Sequence, residues 1–150
     1  MRIMQLSDYE EVYALWKKTE GLDLNPVDAS KEGIQKYLLR NPNSCFVEER
    51  EGRIVGVILA GHDGRRGTLH HLAVEKSYRR KKIAQELVQK SVEELQKEGI
   101  TKVALFVYKE NASARAFWQK QGFTQRKDIV YFDKALTEMN LSEEEKSREV

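Results

Sequence analysis

The chain has 150 residues, 40% of them hydrophobic and 33% charged, which fits one globular domain with a highly charged surface. Its formal net charge of +2 is too small for a protein that lives on nucleic acid, so any basic run is a local feature. A single cysteine, Cys45, excludes a disulfide framework; no apolar run approaches the roughly 18 residues that span a bilayer, and the acidic start holds no secretion signal, so a reducing, cytoplasmic location is expected.

In chain order, "RIMQL" reads as a short strand. Ser7 and Glu10 have capping-box spacing, and Val12, Tyr13, Leu15 and Trp16 recur at helical spacing behind them, which predicts a helix over 8–19. "GLDLNPVDA" is a loop broken by Gly21 and Pro26. A second helix is expected over 30–39, with Ile34, Tyr37 and Leu38 on one face and Asn-Pro-Asn ending it. Residues 44–74 read as three consecutive strands, turning at Glu51-Gly52 and at "HDGRRG". Cys45 falls in the first of these, as a buried structural thiol. A helix follows from about Lys82 to Lys97, with Ile83, Leu87, Val88, Val92 and Leu95 as its apolar stripe and Gly99 as its stop. "KVALFV" lacks alternation, as expected of a strand buried on both faces. Asn111 can cap a helix over 112–121 that ends at Gly122, and "FTQRKDIVYFDKAL" supplies one or two final strands. The chain thus divides into one domain, 1–137, and a charged tail, 138–150, expected to be a frayed helix or disordered. The fold class is mixed α/β (α+β): a mostly antiparallel sheet with one β-α-β crossover and helices on both faces.

Four cations in a row, Arg79, Arg80, Lys81 and Lys82, stand where a strand runs into a helix. The first N–H groups of a helix have no intrahelical partner and, with the helix dipole, attract anions. A diphosphate suits such a spot, as does a solvated basic turn. A nucleic-acid patch formed with Arg65 and Arg66 is the third reading, but the chain has no recognition-helix signature and no interleaved exposed aromatics. No nucleic-acid or membrane partner is expected.

The stretch Val74-x-x-x-Tyr78-Arg79-Arg80-Lys81-Lys82-Ile83-Ala84 resembles the acetyl-coenzyme A loop of the GCN5-related N-acetyltransferases, the GNAT superfamily. The family pattern is Arg or Gln, two residues, Gly, one residue, then Gly or Ala. Arg79 matches its start and Ala84 its end; Lys82 stands where glycine is usual. "LHHLAV" is similar to the family's fourth strand, and "NASARAFWQKQGF" to its late helix, at the family's distance from the loop. The resemblance covers about 1–135. It implies a GNAT fold whose fourth and fifth strands splay apart, with acetyl-CoA as cosubstrate. The backbone of Leu72, Ala73 and Val74 would pair with the pantetheine arm, and the N–H groups of Arg79, Arg80, Lys81, Lys82, Ile83 and Ala84 would hold the pyrophosphate. Asn111 and Ala114 would flank the thiol end, with Phe117 beside the arm. Lysine serves at position 82 if its φ is negative. A catalytically inactive GNAT-fold coenzyme A binder is the alternative.

The reaction so implied is direct attack of a primary amine on the thioester. His70 stands where the arylalkylamine branch of the family has a histidine linked to amine deprotonation. Alternation along the strand would turn His71 to the other layer. The usual tyrosine acid is replaced by Trp118, leaving Tyr108, then Tyr131, as candidates by placement. Trp16, Leu22, Asp23, Leu24 and Asp63 would border the acceptor pocket. The acceptor itself, whether small molecule, peptide or protein, is not named by the sequence. Pairing of two copies through the late strands is a further expectation. No metal is expected, since His62, His70 and His71 lack Cys or Glu partners at ligand spacing.

Overall fold

The computed structural model describes residues 1–148. Five strands form one sheet: β1 (Arg2–Ile3), β2 (Phe46–Arg50), β3 (Arg53–His62), β4 (Gly67–Val74) and β5 (Val103–Ala104). They lie in chain order, antiparallel from β1 to β4, with β5 parallel to β4. The helices are α1 (Tyr9–Lys17), α2 (Lys31–Arg40), α3 (Ile83–Lys97), α4 (Ala112–Lys120) and α5 (Glu143–Arg148). The expected mixed, mostly antiparallel sheet with one β-α-β crossover, β4-α3-β5, is the observed one.

Alternation along the strands sends side chains to two cores. Val12, Leu15 and Trp16 of α1 and Ile34 of α2 pack on Cys45, Val47, Val57, Leu59 and Ala73. On the other face Ile83, Leu87, Val88 and Leu95 of α3 pack on Val55, Ile58, Ala60, Leu69 and Val74, with Phe117 and Trp118 of α4 at the margin. The seating of α3 depends on Gly56, where a Cβ would lie 3.0 Å from Ile83 Cγ2 and 3.1 Å from Leu87 Cδ1. That close approach fixes the N-terminus of α3 against the end of β4. Cys45 is buried, and desolvation pushes its thiol up to about 12, which makes it a packing group and not a nucleophile.

Three expectations change. The capping box at Ser7 and Glu10 is absent: the Asp8 carboxylate accepts the Gln5 N–H at 2.7 Å, pairs with Arg2, and stands at the head of α1, while Glu10 turns outward to Lys31. The strand over "KVALFV" is reduced to Val103–Ala104, and Phe106 and Tyr108 beyond it are 64% and 54% exposed. The final strands over 123–136 do not form among the described residues; Ile129, Val130 and Phe132 are exposed, and Tyr131 leans on Phe106 with ring centroids 4.7 Å apart. A strand is stable only with a paired neighbour, and β5 offers two residues of edge, so β propensity in "IVYF" goes unused. Pairing of copies through late strands therefore lacks the strands it was drawn from. In the tail, the helical one of the two expected alternatives is observed, as the short α5. Ser142 and Glu145 cap each other's N–H groups, at 3.2 and 2.8 Å, and Glu–Lys and Glu–Arg pairs run along its surface. No helix among the described residues is long and apolar enough to cross a membrane.

Candidate active site

The sheet opens between β4 and β5. The two strands pair only at Gly67–Val103 and Thr68–Ala104. Past that point β4 continues to Val74 with no strand among the described residues on its β5 side, which leaves a slot beside Leu69–Val74. The slot leads to the N-terminus of α3.

That end of the structure has the makings of an anion cradle. The first helical bond runs from Glu86 N–H to Lys82 O at 3.0 Å, so the N–H groups of Ile83, Ala84 and Gln85 precede any intrahelical partner. Arg80 and Lys82 are both left-handed, with φ of +64° and +63°. Lys82 so contradicts the expectation of a negative φ at that position. It adopts the backbone a glycine would, and passes directly into the right-handed Ile83. A left-handed residue followed by a right-handed one turns successive N–H groups toward one concavity. The side chains of Arg79, Arg80, Lys81 and Lys82 are exposed around it, and Ile83 is anchored in the core at 1% exposure. Arg79 Nε also donates to Val74 O at 3.2 Å, tying the loop to the end of β4. The donor set suits the pyrophosphate of coenzyme A: backbone N–H groups in a curve, ringed by cations. Among the remaining sequence-predicted contacts, Ala73 and Val74 are buried side chains whose backbone borders the slot, and Leu72 is half-buried beside them.

The far wall is α4. Asn111 caps it by accepting the Ala114 N–H at 3.1 Å, and also accepts from Ser113 Oγ at 3.2 Å. Ala114 is half-buried; Phe117 packs edge-on to Trp118, and Trp118 to Phe123, each pair at 5.1 Å. Trp118 is thus a packing residue with no proton to give.

His70 and His71 lie together. The β3–β4 register shifts between Val57 and Leu59, so that His71 and Leu72 oppose a single residue, Ile58. His71 sits in this bulge with φ +54°. The bulge breaks alternation, and His71 does not face the other layer as expected. Its ring stacks edge-on against Trp16 at 5.0 Å and lies 6.4 Å from His70, which in turn meets Tyr37 at 6.1 Å. Both histidines face the α1–α2 layer. Trp16 Nε1 donates to His71 O at 3.0 Å and holds the bulge. Burial lowers the pKa of His70, partly offset by the Asp28 carboxylate. Burial, then the neighbouring His70, lowers that of His71 to about 4, against the pull of Asp28 and Asp23. Both rings are therefore neutral near pH 7, and a neutral ring can accept a proton.

Tyr108 is exposed at the mouth, and its hydroxyl donates to Asp23 Oδ2 at 3.0 Å. Partial burial and that carboxylate raise its pKa. The loop between α1 and α2 also meets the N-cap of α4 at Gly21, φ +78°, where a Cβ would stand 2.4 Å from Asn111 Nδ2. Leu22 and Leu24 pack on the α1–α2 core. Asp63 does not join the site: it accepts the N–H groups of Arg65 and Arg66 at 2.8 Å within its own turn. Asp28, Tyr37 and Gly21 were not found by sequence reasoning. Each acts on residues far along the chain, and no local spacing signals that.

The model for the "Acetyltransferase (GNAT) family" matches residues 9–123. An acetyltransferase of Photorhabdus laumondii subsp. laumondii is 31% identical over 137 residues, covering 91% of this chain and 94% of its own. The solved Ard1 of Thermoplasma volcanium shares the fold with a TM-score of 0.72 at 22% identity, over 82% of this chain and 80% of that one. The PaiA N-acetyltransferase of Thermoplasma acidophilum, solved in complex with coenzyme A, does so with a TM-score of 0.70 at 18% identity, over 82% and 87% of the two chains. The strand slot, the anion cradle at its end and the family match over 9–123 agree, and the chain belongs to the GNAT acetyltransferase family.

Proposed function

We propose that the chain is an acetyl-CoA-dependent N-acetyltransferase that acts on a primary amine in a ternary complex, with His70 as the base. The observation that carries this reading is the slot between β4 and β5, which runs from a neutral, half-buried histidine to the N-terminus of α3. Acetyl-coenzyme A supplies the acetyl group as a thioester. The concave N–H groups at Lys82–Ala84 would hold its pyrophosphate, and the β4 backbone its pantetheine arm. A second structure of this fold, that of PaiA, holds coenzyme A, which supports the choice of cofactor.

The amine must be neutral to attack. His70 Nε2 or Nδ1 takes its proton, and Asp28 stabilises the imidazolium so formed. A backbone N–H near Ala73 would steady the carbonyl oxygen as negative charge grows on it. Tyr108 stands at the mouth as the proton donor to sulfur, held meanwhile by Asp23. Asp23, beside Tyr108, would also meet a second positive charge on the acceptor. The acceptor is a small molecule, a peptide or a protein amine.

The test is thiol release from acetyl-CoA over a panel of alkylamines, amino acids, aminoglycosides and peptide N-termini. Turnover with one class is expected, together with loss of the acidic limb of the pH–rate profile in His70→Ala. An unchanged profile removes the base assignment. No release with any class removes the transferase reading and leaves a coenzyme binder.

A further inference from the structure

The β2–β3 hairpin brings two arginines face to face. Arg50 and Arg53 are cross-strand partners, on either side of the tight turn at Glu51 (φ +55°) and Gly52 (φ +74°). Like charges directly opposite on a sheet repel, so this arrangement costs stability as it stands. Neither is well neutralised. Arg50 reaches Glu48 at 3.4 Å and stays 44% exposed, and the same Glu48 oxygen also meets the N-terminal ammonium at 3.5 Å. Arg53 has no ion pair among the described residues. A third cation, Lys81, is held over the Tyr78 ring at 5.0 Å.

These groups surround one cavity of about 470 Å³, lined by Arg50, Glu51, Arg53, Ser77, Tyr78 and Lys81. It is an open, mainly polar depression in the surface, suited to a charged group and not to an apolar ligand. Glu51 is the one acidic group on its wall, and it forms no ion pair with the three cations among the described residues. The cavity is not the slot described above. The hairpin borders β4 on its β3 side, whereas the slot opens on its β5 side. Lys81, in the loop between them, lines the cavity and stands among the cations around the cradle.

We propose that this cavity binds a phosphate monoester, with Arg50 and Arg53 as a two-armed clamp, Lys81 as the third charge and Ser77 Oγ as a neutral donor. A dianion would relieve the Arg50–Arg53 repulsion and match planar guanidinium donors, which bind phosphate in pairs of hydrogen bonds. The source is either the 3′-phosphate of the coenzyme, reaching across the loop, or a separate phosphorylated small molecule that reports on the active site through Lys81. The second does not depend on the coenzyme reading.

The experiment uses the full chain, wild type and the double variant Arg50→Ala/Arg53→Ala. All positions changed are exposed, and a matching thermal unfolding curve checks the fold. Calorimetry compares acetyl-CoA with its 3′-dephospho form, and ¹⁵N NMR follows the amides of 50–53 and 77–81 with inorganic phosphate and with adenosine 3′,5′-bisphosphate. Wild type is expected to bind acetyl-CoA at least about tenfold more tightly than the dephospho form, the scale of one charge-assisted contact. Loss of that preference in the double variant assigns the cavity to the coenzyme's own phosphate. A preference unaffected by the variant, with amide shifts on adding bisphosphate or phosphate that the variant abolishes, assigns it to a separate ligand. Unaltered preference with no variant-sensitive shift at 50–53 overturns the proposal. If acetyl-CoA does not bind at all, the phosphate and bisphosphate titrations still decide it.

Discussion

Lys82→Gly separates backbone from charge at the cofactor loop. Lys82 is left-handed at φ +63° and ψ +10°, at the N-cap of α3. That conformation costs an L-residue about 1–2 kcal/mol, and glycine's greater freedom in the unfolded chain takes back about 0.5–1. The net gain is about 0.5–1 kcal/mol, or about 1–4 °C in Tm for a chain of this size. Lys82→Ala removes the same charge but retains the Cβ, and with it the strain of a left-handed backbone. Any gain common to both variants reports relief of repulsion among the four cations; the difference between them reports strain. Thermal unfolding of the three proteins in one buffer gives both values. Calorimetry with acetyl-CoA then gives the loss from one cation, expected to be equal in the two variants and to shrink as salt rises. Glycine no more stabilising than alanine would refute the reasoning, since it would mean that the left-handed backbone costs nothing.

Other substitutions probe the remaining walls. Gly21→Ala places a Cβ 2.4 Å from Asn111 Nδ2 at a left-handed position, so stability should fall by about 1–3 kcal/mol and acetyl-CoA turnover should fall with it; urea unfolding measures the first. Acid should destabilise the fold through His71: its folded pKa of about 4 lies below the ordinary 6.5, so the unfolded chain binds the proton first. Stability is then lost as pH drops from about 6.5 to about 4, and His71→Asn should reduce the slope of the urea midpoint over that window, the remainder belonging to His70, whose pKa burial also lowers. Carboxylates such as Asp8, whose pKa is lowered by Arg2, act at lower pH and should be unaffected. Tyr108→Phe should lower kcat more than KM if its hydroxyl protonates the thiolate, whereas Asp23→Asn should raise KM for a dicationic amine; equal effects on both constants in both variants would remove these roles.

Much of the fold was legible because its signals are local. The stripe Ile83, Leu87, Val88 and Leu95 marks α3 by periodicity alone, and Asn111 announces α4 as its cap, accepting the Ala114 N–H three residues on. The loop from Arg79 to Ala84 was legible as a spacing. What was not legible depends on partners distant in sequence. "IVYF" carries strong β propensity, yet whether it forms a strand depends on an edge that β5 does not extend. The bulge at His71 depends on Trp16, 55 residues away, whose indole holds its carbonyl, and alternation therefore put the ring on the wrong face. Asp23 was expected at the acceptor pocket, but Asp28, the acidic neighbour of both histidines, comes from a loop whose composition reads simply as a turn. For Lys82 the side-chain charge was legible but the sign of φ was not: it is +63°, against the negative value expected.

The central claim is that the slot between β4 and β5 takes acetyl-coenzyme A. Calorimetric titration of the full chain with acetyl-CoA, repeated with Ala114→Trp to fill the slot's wall, tests it most directly. The account predicts micromolar, salt-sensitive binding that the bulky variant abolishes while its unfolding curve is retained. Absence of binding to the wild-type chain, or binding that Ala114→Trp leaves unchanged, would contradict it.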